Sequence, residues 1–311
     1  MQIYCRATMK RAVDFQKRAL LKGFAALPRS WVKWISDLRS NHAALESLFG
    51  VVAKSVRHWD LEIQDGLGKG LRFNAGGSAA SYLVGCWQPH TQVALKAMLR
   101  EEAIFYDVGA NVGYFAVIAA RLVGLNGKIV CFEPLAINYR HILHNAALNG
   151  FTNIQLIETA LGNIDAEASF WLSAQPTWGK LVSAGKVPDK LIGETRVMVR
   201  RLDRVIAEAG LPPPQVIKID VEGAEVDVLA GAIETLRRYR PRLLIELHGT
   251  NIAVARMLSD LGYKAVVLGD HAAIVDAHWN ADVVAIPSED DWPVGLPVES
   301  ETWREGGASR A

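Results

Sequence analysis

From residue 104 onward, short apolar runs alternate with longer stretches in which apolar positions recur every three or four residues. The runs IFYDV (104–108), KIVCF (128–132), NIQLIE (153–158), QVIKI (215–219) and RLLIEL (242–247) are too short for core helices. They are also too uniformly apolar for a sheet with one wet face, so they read as strands buried on both sides. Helical spacing occupies 112–123, 136–148, 203–209, 224–239 and 252–261 between them. Strands that alternate with helices in this way predict a doubly wound α/β domain with a mainly parallel sheet. YKAVVL and DVVAIP follow without room for a crossover helix, so they pair antiparallel at one edge and bring the sheet to seven strands.

One insertion interrupts the alternation. ASFWL (168–172) and RVMVRRL (196–202) are further strand candidates, and residues 173–194, with two Pro, three Gly and one Trp, read as a long loop between them. Loops of that length are usually functional or mobile. Upstream, residues 1–60 look helical, and GLGKGLRFNAGG (66–77) reads as a glycine-rich hairpin or loop before a helix near 88–100. Three regions result: a helical N-terminal extension (1–60), an α/β domain (61–286) and a disordered tail rich in Gly, Pro and acidic residues (287–311).

Charge adds one feature. The net charge of +1 gives no electrostatic case for nucleic acid. Residues 1–40, however, hold nine Lys or Arg against two Asp, with Phe15, Leu20, Phe24, Trp31 and Trp34 interleaved among them. That basic amphipathic face either packs on the core or makes peripheral membrane contact. No run has the form of a signal peptide or the length of a membrane span. The three cysteines, Cys5, Cys86 and Cys131, are odd in number and show no CxxC spacing. They argue against a disulfide framework or zinc site and for a reducing, cytoplasmic setting, with Cys131 in the core.

The chemistry begins at DVGANVGYF. Asp107 and Val108 end a strand, Gly109, Ala110, Asn111 and Gly113 form the turn, and Tyr114 opens the next helix. Such a turn aims helix N-terminal amides into a crevice at the carboxyl edge of the sheet. A pyrophosphate cradle wants GxGxxG, whereas the spacing here is GxxxG with Ala110 and Asn111 in the middle. A ligand with an amino acid group would use Asp107 for its ammonium and the turn amides for its carboxylate, which describes S-adenosylmethionine better than NAD. Glu133, followed by Pro134, ends the second strand, where a carboxylate accepts hydrogen bonds from ribose hydroxyls or caps the following helix.

DVGANVGYF, CFEPLAINYRHILHNAALNGFTNI, ETALGN, VIKIDVEGAEVDVLAGA and RPRLLIELHG, taken in order, resemble the FkbM family of methyltransferases over roughly residues 66–290. The resemblance implies a class I methyltransferase (Rossmann-like) fold, S-adenosylmethionine as donor, and O-methylation of a small-molecule or glycan acceptor such as a sugar hydroxyl. The turn residues 107–111, with Gly113, Tyr114, Glu133 and Pro134, then become donor contacts. Thr159 and Ala160 fall where this fold meets adenine, and Asp220 faces the methyl group.

Asp220 and His248 are the candidate general bases, and Glu222 shares their edge. Glu225 reads as an ordinary acidic residue in a helix first turn. Asp220, Glu246 and His248 also make a conceivable divalent-metal set, but their spacing is not diagnostic and no metal is assigned. Trp87, Trp171 and Trp178 lie on segments suited to covering an acceptor, and residues 40–100 and 173–194 are expected to choose it. An NAD-linked oxidoreductase and a non-catalytic, membrane-associated binding module are the alternatives.

Overall fold

In the computed structural model, residues 59–296 are described, apart from 77, 80, 174–178, 186, 188–190 and 271. A two-stranded hairpin, β1 (Leu61–Glu62) and β2 (Arg72–Phe73), leads into α1 (Ser81–Val84) and α2 (Pro89–Met98). The alternating region follows: β3 (Ile104–Val108), α3 (Tyr114–Val123), β4 (Lys128–Phe132), α4 (Ala136–Leu148) and β5 (Ile154–Ile157). The insertion comprises β6 (Ala160–Leu161), β7 (Ala166–Ser173), β8 (Lys180–Leu181) and β9 (Leu191–Arg200). Then come α5 (Leu202–Ala209), β10 (Val216–Ile219), α6 (Glu225–Ala230), α7 (Ile233–Tyr239), β11 (Arg242–Glu246), α8 (Asn251–Asp260), β12 (Tyr263–Val267) and β13 (Asp282–Pro287).

The main sheet has seven strands in the order β12-β13-β11-β10-β3-β4-β5. Strands β11, β10, β3, β4 and β5 pair in parallel. β13 runs against both β11 and β12, so the expected antiparallel pair closes that edge, with the reversed strand one place inside it. Period-two alternation divides the strand side chains between two cores. Phe105, Ile129, Cys131 and Val284 face α2 and α3. Tyr106, Val130, Ile217, Leu243 and Val283 face α5 to α8. Burying each large side chain contributes about 1.5–3 kcal/mol, so both helical layers are held by this alternation.

The strand order reverses between β3 and β10, which makes their carboxyl ends the crevice of the fold. Gly109 adjoins it with φ 78°, and a Cβ placed there would lie 1.9 Å from the carbonyl oxygen of Asp220. Only glycine lets the β3 turn and the β10 turn approach this closely.

Three expectations change. The single helix over 224–239 is two, because Gly231 packs on the backbone of Gly162, where a Cβ would meet its oxygen at 1.9 Å. The long loop over 173–194 contains β8 and the first residues of β9, and with β6 and β7 they form a second, four-stranded sheet. The tail is ordered to residue 296: Trp292 packs on the core, Leu296 is buried, and Glu289 pairs with Arg240 at 2.8 Å. The expected helical extension, apart from its last two residues, its membrane-facing segment and residues 297–311 lie outside the described residues. No helix among the described residues is long and apolar enough to cross a membrane.

Candidate active site

A crevice opens at the carboxyl edge of β3, β4, β10 and β11 and encloses about 1170 Å³, its open mouth included. Val108, Gly109, Asn111, Glu133, Pro134, Ala160, Asp220, Glu222 and His248 all line it. The second sheet supplies an outer wall through Phe170, Gly179 and Leu181.

The donor side is built around Glu133. Its carboxylate is buried and accepts three N–H donors: Asn111 (2.9 Å), Leu135 (3.0 Å) and the Asn138 side chain (3.2 Å). A carboxylate has about four acceptor positions, so one remains for a hydroxyl. Glu133 thus caps the start of α4 and also borders the crevice. Burial pushes its pKa up to about 7 against those hydrogen bonds. Leu135, Ala160 and Leu161 form an apolar slot beside it.

Five expected donor contacts are placed elsewhere. Asp107 lies beneath the crevice floor, 1% exposed, with Lys218 Nζ 3.8 Å away and neither oxygen hydrogen-bonded. Burial raises its pKa to about 6, although Lys218 opposes the rise. Ala110 is buried in the core and Gly113 packs on Ile142, both below the crevice. Tyr114 is core: it stacks on Tyr82 with ring centroids 4.7 Å apart and accepts a hydrogen bond from Gln92. Thr159 is buried and turns its hydroxyl to the carbonyl of Met198 at 2.9 Å, away from the slot.

The acceptor side gathers acidic groups around one imidazole. Lys218, 4% exposed, pairs with Asp220 at 3.0 Å. Burial works against ionisation of Asp220, but Lys218 and His248 outweigh it and hold the carboxyl below its usual range. Glu246, from the end of β11, accepts a hydrogen bond from the Gln88 side chain, and burial together with the Asp220 charge pushes its pKa up. Glu222 sits at φ 55° in the tight VEG turn, and burial lifts it to about 7. His248 Nε2 lies 3.5 Å from Glu222 and 3.9 Å from Glu246. Its Nδ1 lies 2.9 Å from Glu225. Burial disfavours the imidazolium, yet the Glu225 hydrogen bond and the charges of Glu222 and Asp220 raise its pKa to about 9.

Glu225 stands in the first turn of α6, as the sequence reading has it, but the fold adds further contacts. It is 0% exposed, and besides His248 it accepts hydrogen bonds from the Gly223 amide (2.8 Å) and the Thr250 hydroxyl (2.7 Å). Asp220, Glu246 and His248 bring one ligand atom each within 4.8 Å of one another, so they could hold a metal ion. The Lys218 ammonium already supplies a cation to Asp220.

Of the three tryptophans, Trp87 lines the crevice, Trp171 stands on β7 opposite Glu194, and Trp178 is outside the described residues. Sequence reasoning missed Trp279. It lines the mouth, half-exposed, with its ring centroid 6.3 Å from that of His248. Its loop is pinned by Asn251, whose side chain donates to the Ala277 carbonyl at 2.8 Å.

The residues fit S-adenosylmethionine: at Glu133 a carboxylate with an acceptor position left for a hydroxyl, beside it an apolar slot, and a glycine turn with no room for a side chain.

Comparison with known proteins agrees. Residues 107–265 match the family described as "Methyltransferase FkbM domain". The hexuronic acid methyltransferase AglP of Haloferax volcanii is 27% identical over 151 residues, 48% of this chain and 57% of its own length. The 2-O-methyltransferase NoeI of Sinorhizobium fredii is 30% identical over 165 residues, 49% of this chain and 65% of its own. The chain thus spans less than two thirds of either relative. A solved FkbM methyltransferase from Methylobacillus flagellatus aligns over 60% of this chain and 45% of its own, with 20% identity and a TM-score of 0.42. On the match across residues 107–265, this chain belongs to the FkbM family of methyltransferases.

Proposed function

We propose that the protein is an O-methyltransferase that transfers the methyl group of S-adenosylmethionine to a sugar hydroxyl. One observation carries the reading. A crevice with a ribose-type acceptor at Glu133 runs into a cluster of proton-accepting groups, Asp220, Glu222 and His248, bordered by the exposed ring of Trp279.

S-adenosylmethionine supplies an electrophilic methyl group on a sulfonium. The protein's own part is to hold, orient and deprotonate. The carboxylates around the crevice complement a cationic donor, and aligned placement of two reactants is worth roughly 7–11 kcal/mol of barrier. A sugar hydroxyl is a weak acid and needs a base as its oxygen attacks; a positioned base contributes about 10²–10⁴-fold. A half-exposed indole at the mouth offers an apolar face to the C–H side of a sugar ring. Two of the relatives are named for sugar-directed or 2-O methylation, which supports a hydroxyl acceptor. Peripheral membrane contact through residues 1–40 remains part of the proposal for presenting a membrane-borne acceptor.

The test is transfer of a labelled methyl group from S-adenosylmethionine to a panel of neutral sugars, uronic acids and non-sugar alcohols. Label on a sugar hydroxyl is the expected result. Label confined to nitrogen acceptors or carboxylates would refute the O-methyl assignment, and label on non-sugar alcohols alone would refute the sugar assignment.

A further inference from the structure

Four groups on the acceptor side of the crevice can accept a proton, and their surroundings differ. Glu246 is already engaged by the Gln88 side chain. Asp220 is already ion-paired to Lys218 at 3.0 Å, which makes it a poor proton acceptor. Glu222 stands on a turn, and its carboxylate lies 3.5 Å from His248 Nε2, beyond a close hydrogen bond. His248 alone is gripped from behind. Its Nδ1 meets Oε1 of Glu225, a side chain with no exposure to solvent, and Glu225 is itself fixed by the Gly223 amide and the Thr250 hydroxyl. A carboxylate can only accept, so the ring must carry its proton on Nδ1. The lone pair of the neutral ring is then on Nε2, at the crevice side, where Glu222 and Glu246 lie.

We infer that His248 Nε2 is the general base and that Glu225 is its positioning residue, fixing the tautomer and stabilising the imidazolium that forms. The inference rests on the O-methyltransferase reading and selects one base among its candidates. In the step, the acceptor oxygen bonds to the methyl carbon, and the carbon–sulfur electron pair stays with sulfur as a neutral thioether. The hydroxyl proton passes to Nε2. The products are a methyl ether, S-adenosylhomocysteine and a protonated His248 paired with Glu225. The same logic governs a carboxylate behind a catalytic imidazole wherever one occurs: the acid orients the ring and offsets its charge without taking the proton itself.

The groups that face the ring are Asp220 at the end of β10, Glu222 in the following turn, Glu225 on α6 and Glu246 on β11, with Trp279 from the β12–β13 loop. All four carboxyl groups favour the protonated ring when they are ionised. The rate should therefore rise with pH as His248 loses its proton, with an inflection above the ordinary histidine range.

The experiment is a pH–kcat profile of the whole chain and of Glu225→Gln and His248→Gln, with S-adenosylhomocysteine affinity measured for each. Glutamine keeps the size of Glu225, can still accept from Nδ1 and Gly223, and can donate to the Thr250 hydroxyl. It removes only the charge. Glu225→Gln should move the inflection to lower pH and lower the plateau by about 10- to 100-fold, with S-adenosylhomocysteine affinity unchanged. His248→Gln should abolish the inflection. An unmoved inflection in a folded Glu225→Gln would overturn the role of Glu225, because a purely structural residue changes the plateau alone. An inflection that persists in His248→Gln would overturn His248 as base.

Nitrogen-15 spectra of the wild-type imidazole give a second test that needs no variant. Above the inflection the Nδ1–H tautomer is expected, and an Nε2–H tautomer overturns the inference. A wild type that transfers no methyl to any hydroxyl is a different failure, that of the O-methyltransferase reading itself.

Discussion

Replacing Gly109 with alanine perturbs the point where the two halves of the site touch. The new Cβ would lie 1.9 Å from the Asp220 carbonyl oxygen, and φ is +78°. Ordinary contacts begin near 3.4 Å, so one chain must retreat by more than an ångström. The retreat strains the Asp220 amide bond to the Val108 carbonyl, now 3.0 Å, and the Asp220–Lys218 pair. A left-handed alanine costs about 1–2 kcal/mol, and overpacking adds about 1–3 kcal/mol. The variant should therefore be about 2–5 kcal/mol less stable in urea, with an unchanged denaturant slope. A shift of about 1 Å in positioned groups costs on the order of 10²-fold in rate, so the residual folded protein should also be slow in single-turnover methyl transfer. Stability within 0.5 kcal/mol of wild type together with a rate within about twofold would refute the close approach of the two turns.

Three further outcomes follow from the same geometry. Lys218→Met leaves the buried Asp107 and Asp220 without their cation, so it should cost about 3–5 kcal/mol at pH 8. Their folded pKa values rise in the variant, so the penalty is present above those values and should shrink as pH falls to 5 and the carboxylates protonate; an equal penalty in urea at both pH values would contradict this. Trp279→Ala should raise the KM for a sugar acceptor about tenfold while S-adenosylhomocysteine binding, read by calorimetry, stays constant; an unchanged KM removes the ring from the acceptor site. Treatment with EDTA followed by metal add-back should leave turnover unchanged, because Lys218 already serves Asp220 as cation; restoration of lost turnover by a divalent ion would assign the Asp220–Glu246–His248 set to a metal.

The parallel core was legible in the sequence because its strands are uniformly apolar and bounded by turn residues: IFYDV and KIVCF coincide with β3 and β4. Their carboxyl ends face the crevice, so Glu133, Asp220 and His248, read at those ends, do line it. What was not legible depends on contacts far apart in sequence. The break at Gly231 is set by Gly162, and a periodic helix pattern does not register it. Asp107 lines up with donor chemistry in the motif, but its side chain turns down to Lys218 beneath the floor. Tyr114 and Thr159 sit beside true crevice residues along the chain yet point to the core and to β9. Glu225 looks like any acidic helix start until the fold brings His248 and Thr250 over it. Trp279 lies in a loop with no motif, and only its exposure beside His248 marks it.

The most direct test of the account is the fate of labelled methyl on a sugar acceptor after treatment with alkali. A methyl ether survives alkali, whereas a methyl ester is hydrolysed. The account predicts that wild-type protein leaves alkali-stable label on the sugar and that His248→Gln leaves about 10²–10⁴-fold less per unit time. Alkali-labile label, or equal labelling by the two proteins, would contradict it.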